Sequence, residues 1–186
     1  MTHKLGEGRH NVVYLASDPI DADKKFAVKC IDKHHANAQT IIAIQLEYQV
    51  MAKGYHWSHC KLEYAYTSEQ RLYFVMEFIS GAALPMSVKA ETLKQFDEDQ
   101  VKFLVAQLVI GIGKLHRLNL AHRDIKLSNL MLDKQGYLKI IDFGLCKRLL
   151  MNQYASSACG SPENLAPEIV KGQKYNQAVD WWAIGI

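Results

Sequence analysis

The sequence predicts an α+β fold, with a β-rich first half that contains one helix and a second half that begins with a long helix. Short apolar runs separated by turn residues fill most of positions 1–79, which is typical of strands. Between Val101 and Leu118 apolar residues cover a broad face over a stretch too long for a strand, which favours a buried helix. With 49% hydrophobic and 22% charged residues, the composition is that of an ordinary folded chain.

The first half contains one predicted helix among its strands. Apolar residues recur at helical spacing in Thr40–Lys53, whereas the polar, proline-containing Ser17–Lys25 is predicted to be a turn. Residues 78–83 are the best candidate for a linker between the two halves. The predicted strands, the last two forming a hairpin, are the glycine-interrupted Leu5–Ala16, then Phe26–Ile31, Leu62–Tyr66 and Leu72–Ile79.

The long helix of the second half has a recognisable start. Asp97 and Gln100 have the spacing of a capping box, and Phe96 with Val101 has the spacing of a hydrophobic staple. Short strands and loops follow the helix, without internal repeats.

Composition argues against several classes of protein. A net charge of +3 is too small to indicate a nucleic-acid partner, and no apolar run approaches the roughly 20 residues that span a bilayer. The four cysteines form no C-x-x-C pair, so we expect reduced thiols and a location in the cytoplasm, with the nucleus as the alternative. A zinc site is not expected, because the histidines and cysteine near positions 34–35 and 56–60 lack a second ligand pair at the required spacing.

Three motifs in the second half carry chemistry. His122–Asn129 fits the pattern H-R-D-x-K-x-x-N, and it is followed by Asp142-Phe143-Gly144 and then Ala166-Pro167-Glu168. With these motifs in this order, the chain resembles a eukaryotic protein kinase domain, and 142–147, 159–163 and 180–183 resemble its AGC group. The resemblance covers essentially the whole chain.

The resemblance implies a two-lobed protein-kinase-like fold. Residues 1–79 are expected to form the N-lobe, 77–83 the hinge, and 80–186 a partial, mostly helical C-lobe. The chain is expected to end inside the central helix of that lobe, with roughly 70 to 80 further residues in a full domain. A chain cut there is expected to be poorly stable.

The catalytic roles are also inherited from the resemblance. Asp124 is expected to accept the proton of the substrate hydroxyl, and Lys126 to contact the γ-phosphate of ATP. Asn129 and Asp142 carry the oxygen ligands that Mg²⁺ prefers. Lys29, in Phe26-Ala27-Val28-Lys29, is expected to hold the α- and β-phosphates, with Glu47 as its acidic partner on the following helix.

Adenine and phosphate contacts are expected from a further set of residues. Gly6 and Gly8 resemble a glycine-rich loop over ATP in which Asn11 takes the place of the third glycine, a residue that tolerates positive φ. Met76 is the expected gatekeeper, and the backbone of Glu77 and Ile79 is expected to face the adenine edge. The expected apolar contacts to the nucleotide are Leu5, Val13, Ala27 and Met131.

Regulation by phosphorylation is expected as well. Arg123 precedes Asp124, and kinases with this arginine commonly need an anion on the activation loop, here Tyr154–Cys159. Ser157 occupies the usual AGC phosphosite, with Ser156 as the adjacent alternative, and this implies an upstream activating kinase.

Departures from the family pattern limit what is carried over. Ser128 and Ala83 stand where acids usually read arginine in the substrate, so basophilic specificity is not implied. Leu127, Asn164 and Ser161 also differ, although Ser161 keeps a hydroxyl able to bridge Asp124 and Lys126. The expected function is transfer of the γ-phosphoryl group of Mg-ATP to Ser or Thr of proteins; the alternative is a truncated, non-catalytic fragment that binds nucleotide or a partner.

Overall fold

The computed structural model describes residues 3–8, 11–34, 36–53, 56–81, 84 and 96–186. The chain forms two compact units, the first made of Met1–Gly54 and Cys60–Phe78, the second of Tyr55–His59 and Ile79–Ile186. The short segment before Cys60 therefore belongs with the second unit, although the sequence analysis assigned all of 1–79 to the N-lobe. The physical reason is that His59 forms a β-bridge with Ile140.

The first unit is an antiparallel sheet of five strands with one helix. The strand order in the sheet is β1-β2-β3-β5-β4, with each neighbouring pair antiparallel. The predicted helix and the predicted hairpin of β4 and β5 are confirmed. The elements are β1 His3–Glu7, β2 Asn11–Ser17, β3 Lys25–Asp32, α1 Ala38–Ala52, β4 Leu62–Thr67 and β5 Arg71–Glu77.

Local side-chain bonds set the ends of these elements. The Asp18 carboxylate accepts a hydrogen bond from the amide of Ile20 at 2.9 Å, an Asx turn that starts the predicted turn between β2 and β3. Asn37 caps α1, because its Oδ1 accepts a hydrogen bond from the amide of Thr40 at 2.8 Å. Such caps satisfy amides that otherwise have no partner at a helix start.

The second unit contains three helices and four short strands in the described ranges. Strand β6 pairs with β9 and strand β7 pairs with β8, both antiparallel. The elements are α2 Glu98–Arg117, β6 Leu120–Ala121, β7 Leu130–Leu132, β8 Leu138–Ile140, β9 Lys147–Arg148, α3 Pro167–Val170 and α4 Ala178–Gly185, with 3-10 turns at Leu127–Asn129 and Pro162–Asn164.

The start of α2 confirms the predicted capping box. The Asp97 side chain accepts a hydrogen bond from the Gln100 amide at 2.8 Å, and the Gln100 side chain accepts one from the Asp97 amide at 3.1 Å. The prediction that α2 is buried on a broad apolar face is wrong for half of that face. The helix packs on β6, β8 and α4 along one stripe, so only residues of that stripe are buried. Exposed apolar residues of α2 are Val101, Phe103, Val105, Val109 and Ile110.

Two glycines allow close backbone packing in the second unit. A Cβ on Gly81 would lie 1.7 Å from the carbonyl oxygen of Leu132, and a Cβ on Gly111 would lie 2.4 Å from the hydroxyl of Ser58. Gly81 belongs to the predicted linker, whose residues 82 and 83 lie outside the described ranges. None of the helices within those ranges has both the length and the apolar character needed to cross a membrane.

Candidate active site

In the first unit, a buried ion pair joins the sheet to the helix. The Lys29 Nζ on β3 lies 2.6 Å from the Glu47 Oε1 on α1, and the two side chains are 10% and 4% exposed. Burying a charge is unfavourable unless an opposite charge accompanies it, so each side chain holds the other in place. The structure thus places Glu47 against Lys29 as expected, while the phosphate-binding role of Lys29 stays a prediction.

Several predicted nucleotide contacts share one face of the sheet. In the registers of β2, β3 and β5, Val13 is opposite Lys29, and Ala27 is opposite Met76. Positions 27 and 29 of one strand point to the same side, because side chains alternate along a strand. Val13, Ala27, Lys29 and Met76 therefore lie on the same face.

The glycine-containing turn differs from the expectation in one respect. Gly6 lies within β1, which ends at Glu7, and the Gly8 amide donates a hydrogen bond to the carbonyl of Asn11 at 2.8 Å. Asn11 was expected to use its tolerance of positive φ, but it is the first residue of β2 and its φ is not positive. The strand pairing of Asn11 with Ile31 explains this, because a strand requires extended backbone.

The other four residues predicted to contact the nucleotide lie in different parts of the fold. Leu5 lies on β1 and is 44% exposed, and Met131 lies on β7 of the second unit. The Glu77 amide donates to the carbonyl of Lys61 at 3.0 Å. Ile79 is buried in the second unit.

In the second unit, three residues surround the carboxylate of Asp124. Asp124 Oδ1 accepts hydrogen bonds from the Ser161 amide at 3.0 Å and from the Ser161 hydroxyl at 2.9 Å. Asp124 Oδ2 lies 3.0 Å from the Lys126 Nζ and 3.1 Å from the Asn129 Nδ2. Lys126 Nζ also donates to the Ser161 hydroxyl at 2.7 Å, so Ser161 bridges Asp124 and Lys126 as expected. Together these contacts fix the direction of the Asp124 carboxylate.

Asn129 and Asp142 each carry a side-chain oxygen of the kind that a magnesium ion prefers. The Nδ2 of Asn129 is engaged by the Asp124 carboxylate and by the Asp124 carbonyl at 2.9 Å, which leaves Oδ1 as the ligand atom of Asn129. The Asp142 carboxylate accepts a hydrogen bond from the Gly144 amide at 3.1 Å and is partly exposed. Carboxylate and amide oxygens suit Mg²⁺, so these residues fit the ion that the sequence analysis assigned to them.

A buried aspartate that the sequence analysis did not assign holds the loop in shape. Asp180, on α4 and 1% exposed, accepts hydrogen bonds from the amides of His122 and Arg123, both at 2.8 Å, and from His116 Nε2 at 2.7 Å. Arg123 has a φ of 70°, a conformation that costs on the order of 1–3 kcal/mol in a non-glycine residue. Asp180 therefore supports the strained backbone next to Asp124. The one indication in the sequence was that an acidic residue stands beside the apolar residues near the end of the chain, where a buried acid needs hydrogen-bond partners.

His122 completes the interior of this loop. Burial lowers the pKa of His122, although the nearby carboxylates of Asp180, Asp142 and Asp124 act in the opposite direction. Its ring lies 5.7 Å from that of Phe143, edge to face. A neutral, packed imidazole at this position serves the structure of the loop.

The activation loop presents its predicted phosphosite to solvent. Ser157 is exposed, and its hydroxyl oxygen accepts a hydrogen bond from Nη1 of Arg123 at 3.0 Å. Ser156, the alternative, is also exposed. The contact with Arg123 favours Ser157, because a phosphate attached there starts beside a guanidinium.

Residues at which the chain departs from the family pattern lie near this site or outside the described ranges. Leu127 and Ser128 are exposed in the 3-10 turn after Lys126, and Asn164 ends the 3-10 turn after Ser161. Ala83 lies outside the described residues.

Comparison with known proteins agrees with this geometry. The family described as "Protein kinase domain" matches residues 1–186. The RAC serine/threonine-protein kinase of Drosophila melanogaster is 36% identical over 184 residues, which are 98% of this chain and 30% of the relative. Serine/threonine-protein kinase akt-2 of Caenorhabditis elegans is 35% identical over 98% of this chain and 34% of the relative. Ribosomal protein S6 kinase 2 alpha of Xenopus laevis is 34% identical over 98% and 25%. The chain thus spans a quarter to a third of the length of these relatives.

Proposed function

Because the chain belongs to the protein kinase domain family, with relatives among the AGC-type serine/threonine kinases, we propose that it transfers the γ-phosphoryl group of Mg-ATP to Ser or Thr hydroxyls of proteins. The observation that carries this proposal is the hydrogen-bonded group of Asp124, Lys126, Asn129 and Ser161. Phosphoryl transfer needs positioning and charge neutralisation more than covalent chemistry, and this group supplies both.

Asp124 is the residue that meets the substrate hydroxyl in this mechanism. Its carboxylate accepts hydrogen bonds on both oxygens from Ser161, Lys126 and Asn129, so its position is set before a substrate arrives. It orients the hydroxyl and takes its proton, while the Lys126 ammonium lies beside it to contact the transferred group.

The roles toward the nucleotide are those that the family resemblance implies for individual residues of each unit. Lys29, held by Glu47, contacts the α- and β-phosphates, and Asn129 and Asp142 hold Mg²⁺. The metal, when bound, neutralises charge that develops on the phosphate oxygens. Val13, Ala27 and Met76 present an apolar sheet face to the adenine ring.

Three substitutions test the assignment. Lys29→Met and Asp142→Ala are expected to weaken Mg-ATP binding, whereas Asp124→Asn should lower turnover by about 10²- to 10⁴-fold with little change in ATP affinity. The measurements are ATP binding by calorimetry and transfer of the γ-phosphoryl group to an arrayed library of Ser and Thr peptides. Lys134→Met, at an exposed position, is the matched control for Lys29→Met. Full transfer activity after any of the three changes would contradict the assignment.

We also propose that an upstream kinase activates the chain by modifying Ser157. A phosphate there adds about −1.5 to −2 charges beside Arg123, the residue that precedes Asp124. Phosphorylation is expected to raise transfer activity, and Ser157→Ala is expected to prevent the rise. If Ser156→Ala prevents it and Ser157→Ala does not, the modified residue is Ser156.

A second function, the binding of nucleotide or a partner without turnover, is favoured by the exposed apolar surface of the second unit. The exposed side of α2 is apolar, and Trp181, Trp182 and Ile186 are exposed near the end of α4. Apolar surface of this kind weakens a folded unit or attracts a partner. Stabilisation by Mg-ATP against thermal unfolding, with no detectable transfer to any peptide, would favour this second function.

A further inference from the structure

Tyr175 connects the activation loop to the interior of the second unit. It lies between α3 and α4, is 2% exposed, and packs in an apolar cluster with Leu149, Ala155 and Ile169. Its backbone forms two hydrogen bonds with Ala155, one in each direction, at 2.8 and 2.9 Å. The backbone pairing fixes one end of the activation loop at a buried residue.

The hydroxyl of Tyr175 makes a second set of contacts on the same loop. It donates a hydrogen bond to the carbonyl of Ser157 at 2.7 Å and accepts one from Nη1 of Arg123 at 3.1 Å. The Sγ of Cys159 lies 3.8 Å from the same oxygen. One phenolic oxygen therefore contacts the predicted phosphosite residue, the cysteine two positions after it, and the arginine expected to receive the phosphate.

We propose that Tyr175 is a positioning residue whose hydroxyl latches the activation loop while Ser157 is unphosphorylated. Without a phosphate, Ser157 offers Arg123 only a neutral hydroxyl, and the Tyr175 hydroxyl supplies the second acceptor for the same Nη1 group. The Ser157 carbonyl and the Arg123 guanidinium are then held by the Tyr175 hydroxyl, in addition to the direct bond from Arg123 to the Ser157 hydroxyl. The role of the phosphate in this inference rests on the proposed function; the latch itself rests on the hydrogen bonds alone.

The latch has a predictable relation to phosphorylation. A phosphate on Ser157 would pair with the guanidinium of Arg123 as an anion, whereas the present acceptors of Arg123 Nη1 are two neutral hydroxyls, so the bond would be stronger. The loop would then depend less on the Tyr175 hydroxyl. Loss of that hydroxyl is therefore expected to loosen the unphosphorylated loop far more than the phosphorylated one.

Cys159 provides a built-in probe that does not require kinase activity. Cys159 is partly exposed and contacts the latch, whereas the other three cysteines of the chain are buried. The experiment measures the rate at which a maleimide labels each cysteine, resolved by mass spectrometry, in the 186-residue chain and its variants. Tyr175→Phe removes only the hydroxyl, and Tyr154→Phe is the matched control, because Tyr154 is 57% exposed on the same loop.

Tyr175→Phe removes the bonds to the Ser157 carbonyl and to Arg123, so it is expected to raise the labelling rate of Cys159 by at least about fivefold, without changing the buried cysteines. Tyr154→Phe should leave all rates unchanged. An unchanged Cys159 rate in Tyr175→Phe would overturn the latch. If the buried cysteines also react faster, amide exchange decides: faster exchange confined to the activation loop supports the latch, and faster exchange throughout the second unit contradicts it.

The same measurement with phosphoserine incorporated at position 157 tests the coupling. Tyr175→Phe should then change the Cys159 rate less than about twofold, because the phosphate holds Arg123. Equal effects in the two forms would show that Tyr175 is only a structural residue. Because labelling needs neither ATP nor a substrate, its outcome is independent of the transfer assay, so failure of the latch and failure of the proposed function are distinguishable.

Discussion

His59 makes the stability of the second unit depend on pH. Its ring is 2% exposed and packs edge to face on Phe143 at 5.4 Å, and its Nε2 donates a hydrogen bond to the carbonyl of Gly111 at 3.0 Å. Its Nδ1 is buried and has no hydrogen-bond partner among the residues that the structure describes. Burial lowers the pKa of His59 from 6.5 to about 4, although the bond to Gly111 acts in the opposite direction.

The direction of the pH effect follows from this lowered pKa. Between about pH 6.5 and the folded-state pKa of about 4, the unfolded chain binds a proton that folded His59 does not bind. The free energy of unfolding therefore has its full value above pH 6.5 and falls as the pH falls. The loss due to His59 is about 1.4 kcal/mol by about pH 5.5 and approaches roughly 3 kcal/mol near pH 4. Burial lowers the pKa of His122 too, which adds a loss of the same sign.

The assay is urea unfolding followed by tryptophan fluorescence at several pH values. All three tryptophans, Trp57, Trp181 and Trp182, lie in the second unit, so the signal reports the unit that contains His59. His59→Leu removes the titrating group and a buried unsatisfied nitrogen, so it should unfold with a smaller pH dependence than the native chain. His34→Leu, at an exposed histidine, is the control. Parallel loss of stability in the native chain and His59→Leu would refute the reasoning.

Other substitutions test packing and the support of the catalytic loop. Gly111→Ala is expected to destabilise the second unit by about 1–3 kcal/mol, because its Cβ would lie 2.4 Å from the Ser58 hydroxyl. Gly113→Ala in the same helix, with Trp181 4.0 Å away, should instead stabilise by up to about 1 kcal/mol, and equal effects in urea unfolding would contradict this difference. Asp180→Ala is expected to cost about 3–5 kcal/mol, since it leaves two buried amides and a histidine without their acceptor; a loss below about 1 kcal/mol would argue against its supporting role. The exposed apolar side of α2 should make the 186-residue chain self-associate, and monodisperse light scattering at high concentration would contradict this.

Much of the fold was predictable because the signals for individual elements are local. The helical spacing at Thr40–Lys53 identified α1, and the spacing of Asp97 and Gln100 identified the start of α2, since both patterns involve residues within a few positions of each other. The prediction for α2 went wrong at burial, because apolar periodicity indicates which residues can be buried but not how much of that surface a neighbour covers.

The residues of the candidate site likewise divide into those that a local sequence pattern identified and those that it did not. The motif around Asp124 names the carboxylate, Lys126 and Asn129 together, because they lie within five positions in one loop. The bridge from Ser161 to Asp124 was expected only through the family resemblance, and Asp180 was not assigned at all. Its acceptor role joins residues 57 and 58 positions apart, so no local pattern indicates it.

The sequence by itself determined the identity of the family, the order of the elements and the side chains available for chemistry, because motifs and periodicities are local properties of the chain. Only the tertiary structure decided which side chain completes each contact. Lys29 on the sheet forms an ion pair with Glu47 on the helix. Asp180 accepts a hydrogen bond from the amide of the strained Arg123, and the Tyr175 hydroxyl donates one to the carbonyl of Ser157. These contacts join residues distant in sequence, and a hydrogen bond or ion pair forms only where packing brings its two atoms to about 3 Å.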